Sequence, residues 1–75
     1  MMHYAVVITS LPNNYSAFVP DLPGCVATGA TFDEVRQNIR EAILLHVEAM
    51  REDGDPLPEY QSYGETVEIP ALVAA

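Results

Sequence analysis

The chain has no lysine, no tryptophan, one cysteine and no long apolar run. Each absence excludes something. Three arginines stand against eleven carboxylates, for a net charge of −8. Direct binding of nucleic acid needs phosphates neutralised by Lys or Arg, so this chain repels a polyanion and is steered toward a basic partner. Cys25 has no second cysteine to pair with. An internal disulfide is therefore ruled out, and the usage fits a reducing compartment. The short apolar runs cannot span a bilayer. The start, Met1-Met-His-Tyr4, lacks the basic stretch and apolar run of a signal peptide. A cytoplasmic location is expected. No Gly-rich phosphate loop, zinc spacing or nucleophile motif occurs, so no catalytic residue, metal or cofactor is expected.

One small domain over 1–70 with a short tail over 71–75 is expected, without a separate DNA-binding domain. At 75 residues the core is marginal, and oligomerisation is a common remedy. His3 to Leu11 reads as a strand rich in β-branched residues. Asn13-Asn14 can supply the positive φ of a tight hairpin turn into a second strand, Tyr15 to Val19. Pro20-Asp-Leu-Pro-Gly24 breaks that strand, with Pro23-Gly24 suited to a type II turn. Cys25 to Gly29 is a short third strand. Thr31-Phe-Asp-Glu34 matches a capping box. It opens a helix from Phe32 to about Glu52 that Asp53-Gly54 closes, with Gly54 as the positive-φ residue. Glu65-Thr-Val-Glu-Ile-Pro70 alternates charged and apolar groups and reads as a half-buried edge strand.

The faces of these elements point toward association. On the helix, Phe32, Val35, Ile39, Ala42, Ile43, His46 and Met50 form one core arc. Leu44 lies nearly opposite, and Val47 sits at the margin. Both are candidate self-association residues. Tyr4, Val6 and Ile8 oppose Ala5 and Val7 on the first strand, as Tyr15, Ala17 and Val19 oppose Ser16 and Phe18 on the second. Both sheet faces are substantially apolar, yet one helix covers only one face. The uncovered face, or an open sheet edge, is expected to meet a second chain.

Residues with chemical potential are few. A metal-dependent nuclease would need several carboxylates converging on Asp21, and none has an evident reason to do so. The plainer role for Asp21 is organising its own loop through backbone hydrogen bonds. Cys25 reads as a buried inert thiol, and His46 as a core histidine without a second ligand beside it.

The run Tyr15-Ser-Ala-Phe-Val-Pro-Asp-Leu-Pro-Gly-Cys-Val-Ala-Thr-Gly29, followed by Thr31-Phe-Asp-Glu-Val35, Asn38-Ile-Arg-Glu-Ala-Ile43 and His46, resembles the HicB-type antitoxin domain. The likeness spans about residues 3 to 70. It implies an α+β fold, a small antiparallel sheet with one long helix in the order β-β-β-α-β, a degenerate RNase H-like arrangement. It further implies a non-enzymatic antitoxin that binds a small basic HicA-type mRNA interferase and masks its active site, and that forms dimers or tetramers. The alternatives are a standalone oligomeric or regulatory protein of the same fold, or a divalent-metal nuclease using Asp21. Exposure and charge nominate Asp21, Leu22, Glu65 and Glu68 as partner contacts.

Overall fold

The computed structural model describes residues 2–71. Three strands, β1 (Val7–Ser10), β2 (Tyr15–Phe18) and β3 (Val26–Gly29), precede one helix, α1 (Phe32–Glu52). The sheet is antiparallel in the order β1-β2-β3. Its register places Val7 opposite Phe18 and Phe18 opposite Val26, while Ile8, Ala17 and Ala27 form the next row. Because side chains alternate along a strand, these rows lie on opposite faces. The Ile8–Ala17–Ala27 row faces α1, and the Val7–Phe18–Val26 row faces away.

The connections follow local rules, with one difference. Two successive turns fold the loop after β2: the Leu22 N–H donates to Val19 O at 3.1 Å, and the Cys25 N–H to Leu22 O at 3.0 Å. Each turn has proline at its first central position, where a fixed φ costs nothing. Gly24, with φ +85°, supplies the left-handed residue that the second turn needs. The β1–β2 connection differs from the expected tight turn. It spans Leu11 to Asn14, closed by the Leu11 N–H donating to Asn14 O at 2.8 Å, and no residue other than glycine has positive φ among the described residues. A four-residue hairpin loop is most often built on a type I turn, which needs no left-handed residue, so Asn13 and Asn14 are not used as expected.

The helix begins and ends as its caps dictate. Thr31 is the N-cap, and its hydroxyl accepts from the Glu34 N–H at 3.0 Å. The returning Glu34 carboxylate takes the Ala30 N–H at 3.1 Å, one residue earlier than the standard box. At the other end the Asp55 N–H reaches Met50 O at 2.9 Å and the Gly54 N–H reaches Arg51 O at 3.2 Å. With Gly54 at φ +74° this is a Schellman motif.

The buried core is Ala17, Val19, Leu22, Cys25, Val35 and Ile39. Tyr4, Val6, Ile8, Ala42, Ile43, Val47 and Met50 pack around it, half-buried. Gly29 is where α1 touches the sheet: a Cβ there would stand 2.5 Å from Val35 N and 2.9 Å from Val35 Cα. The expected core arc of α1 is observed except at Phe32, which stays exposed, set edge-on to Tyr15 at 6.0 Å.

The expected fourth strand is absent. Residues 65–70 have no strand pairing and lie exposed. The order among the described residues is β-β-β-α. Alternating side chains make a segment fit to be a strand, but a strand also needs backbone bonds to an edge, and residues 65–70 make none to the sheet. The tail expected over 71–75 lies, from residue 72 onward, outside the described residues.

Candidate partner-binding surface

The loop after β2 supplies a clamp. The Asp21 carboxylate accepts the Ser62 hydroxyl at 2.6 Å on one oxygen, and the Gln61 and Ser62 N–H groups at 2.9 and 3.0 Å on the other. The two turns hold Asp21 in place, and it fixes a segment 40 residues later in the chain. The Ser62 hydroxyl bond, then those from the Gln61 and Ser62 backbone, hold its carboxyl below the usual carboxylate range against a smaller opposing effect of burial. Asp21 therefore binds beyond its own loop, and both of its oxygens are committed. Among the described residues, no group of three His, Cys, Asp or Glu side chains gathers at metal-ligand distance. The start of the same segment is held at the N-terminus, where the Tyr4 hydroxyl donates to Pro58 O at 2.7 Å.

Leu22 does not fit a contact role. It is fully buried beside Val35. Truncating such a leucine typically costs about 2–5 kcal/mol through lost transfer energy and a cavity, so Leu22 anchors the loop to the core and presents nothing to a partner. Val47 is half-buried: it leans on the core and also lines a surface hollow beside Leu44. Leu44 is 61% exposed, as expected from its place opposite the core arc. Its neighbour Leu45, at 69%, is more exposed still and was not singled out by the helical arc. The two leucines border a shallow hollow with Glu41, and Glu48, Arg51 and Glu52 line a second one beside Leu44. Cys25 is buried, and burial pushes its thiol above the ordinary value, as an inert core thiol requires. His46 is half-buried on α1.

Two further surfaces are apolar and uncovered. On the outer sheet face Phe18 is 44% and Val26 64% exposed, with Val7 beside them. In the last segment Val67 is 70% and Ile69 62% exposed, flanked by exposed Glu65 and Glu68. Single exposed apolar residues are ordinary, but aligned rows of them mark interaction sites. Glu65 and Glu68 put acidic groups beside the second of these rows. The one ion pair among the described residues is the exposed Arg36–Asp33 contact at 4.0 Å, so most of the carboxylates carry uncompensated charge.

Comparison with known proteins agrees with this picture. Residues 4–73 match the family described as HicB-like antitoxin of bacterial toxin-antitoxin system. An uncharacterized 14.9 kDa protein of Haemophilus phage HP1 is 41% identical over 58 residues, covering 77% of this chain and 44% of the phage protein. The chain thus spans less than half the length of that relative. A UPF0150 protein of Synechocystis is 41% identical over 58 residues, covering 76% of this chain and 73% of the relative. A chain of the solved HicA3 and HicB3 toxin-antitoxin complex superposes with a TM-score of 0.67 at 32% identity, covering 79% of this chain and 70% of that one. With nearly its whole length matched, the chain belongs to the HicB-like antitoxin family.

Proposed function

We propose that this protein is the antitoxin of a toxin–antitoxin pair and neutralises a small basic HicA-type mRNA interferase by covering its active site. The observation that carries the reading is the likeness to a chain of the HicA3 and HicB3 complex. The charge of −8 supports it, since a surface that binds RNA is basic and an acidic mask competes for it. The protein acts in the cytoplasm, by binding, without catalysis or cofactor, and associates with itself. Glu65 and Glu68 on the exposed last segment, together with the acidic side of α1 around Leu44 and Leu45, are the proposed toxin contacts. Asp21 contributes by fixing where that segment starts.

The test is to co-purify the chain with a small basic protein encoded beside it and to measure RNA cleavage by that protein alone and in the complex. Stoichiometric inhibition is expected. Glu65→Arg with Glu68→Arg is expected to lower affinity by about tenfold or more, in the range of charge pairs at interfaces. Absence of a complex at low salt would overturn the antitoxin reading, and an unchanged affinity in the double variant would remove the last segment from the contact.

A further inference from the structure

The segment after α1 has almost no regular structure, yet its backbone is pinned. The Tyr4 hydroxyl holds Pro58 O, and the Asp21 carboxylate holds the Gln61 and Ser62 N–H groups. Tyr60 and Tyr63 flank the two clamped residues. Their rings meet at 4.7 Å between centroids, and the His3 ring lies 6.4 Å from that of Tyr60. All three side chains are exposed, Tyr63 at 74%. A hollow of about 320 Å³ opens against this cluster, with His3, Pro58, Glu59 and Tyr60 in its lining. Two tyrosines kept out of the core forgo a large gain from burial. Tyrosines that are exposed but rigidly held are the usual anchors of binding surfaces, because they offer much contact area at little ordering cost.

The surroundings set the charge of what fits. Asp53, Asp55, Glu59, Glu65 and Glu68 lie between the end of α1 and residue 70, with no Lys or Arg among them. All three arginines are on α1. The one cation–π contact among the described residues puts Arg36 over Phe32. The faces of Tyr60 and Tyr63 therefore carry no cation of their own chain. An aromatic face is the negative end of its quadrupole and attracts a cation, and the Glu59 carboxylate adds a counter-charge. Arginine suits such a hollow better than lysine. Its planar group stacks on a ring, its fork can reach a carboxylate, and it gives up water more readily than an ammonium.

We propose that the His3–Tyr60–Tyr63 cluster receives an arginine side chain of the basic toxin, with the guanidinium stacked on the Tyr60 ring and facing the Glu59 carboxylate. This inference rests on the antitoxin reading above and adds an aromatic anchor to its acidic contacts. It also gives the clamp a role in binding. Asp21 fixes the backbone between the two rings before the partner arrives, so less ordering remains to be done on contact.

The test titrates the full chain with the small basic protein encoded beside it. Tyr60→Leu keeps an apolar side chain and removes the ring, and is expected to weaken the complex by about tenfold, as for a partly desolvated cation–π contact. Tyr60→Phe keeps the ring and should stay within about twofold of the parent. With the partner's arginines replaced by glutamine one at a time, one should lose its effect in the Tyr60→Leu background. Helical circular dichroism and the protection of amides 61 and 62 are followed throughout. Tyr63→Leu, expected to cost about threefold, takes over as the test where Tyr60→Leu releases the clamp. Full affinity in both leucine variants overturns the anchor and leaves the antitoxin reading standing. An equal loss in Tyr60→Phe and Tyr60→Leu makes the hydroxyl the contact and overturns the stacked arginine, as does a loss that couples to no arginine of the partner. Altered sedimentation of the Tyr60→Leu chain alone, with toxin affinity kept, gives the rings to a second copy and overturns the toxin as occupant. A parent chain that forms no complex overturns both readings.

Discussion

Gly29 shows how much one missing side chain decides. Its hydrogen lies where a methyl group would meet the Val35 backbone at 2.5 Å, well inside any tolerated approach. The obstacle is main chain in the first turn of α1, which cannot swing aside as a flexible side chain would. Gly29→Ala is expected to push the helix off β3 and destabilise the fold by about 1–3 kcal/mol, the usual range for overpacking. Urea denaturation checks it through a lower midpoint at an unchanged slope. Gly24→Ala differs in kind. Open space surrounds Gly24, and the strain would come from its φ of +85°. The role of Gly24 was legible from its neighbour Pro23, because a turn is settled within four residues. The role of Gly29 was not, because it depends on how closely a helix lies against a strand.

At the scale of elements, what was legible follows the range of the forces involved. The helix bounds, Phe32 to Glu52, match the expectation because a Thr cap and a Gly stop act on adjacent backbone groups. The three strands fall where branched residues and turn signals put them, trimmed at their ends. The fourth failed because alternation reports only which way side chains point and cannot report whether an edge is available. The clamp between the β2–β3 loop and residues 61–62 was invisible for a similar reason: nothing near Asp21 names Ser62 as its partner. Of the nominated contacts, Leu22 was misplaced because its exposure was inferred from a loop, and this loop folds inward. The clamp carries a pH dependence of known sign. A carboxyl whose folded pKa lies below its unfolded value stabilises fully above the unfolded value, and the contribution is lost as pH falls through the folded one. Amides 61 and 62 are therefore expected to lose hydrogen-exchange protection under acid, below the ordinary carboxylate range, while those of α1 are still protected. Asp21→Asn should abolish that step.

The whole molecule combines a small core, a charge of −8 and apolar rows left uncovered on three surfaces. Two kinds of association then respond to salt in opposite directions. Screening weakens the pull between this acidic chain and a basic toxin, and it relieves the repulsion between two copies of the chain. Raising the ionic strength is expected to loosen the complex with the toxin and tighten the dimer, which parallel sedimentation runs at low and high salt can check. Parallel trends in both would mean that net charge does not govern one of them. The β1 edge of the sheet, uncharged over Val7–Ser10, has one more consequence. A bare strand edge is a template for disorderly growth as well as for orderly pairing. While the carboxylates are ionised, mutual repulsion keeps approaching chains from stacking along it. Near the isoelectric point of about 4.2 that protection vanishes, and the bare edge becomes a starting point for precipitation and fibrils.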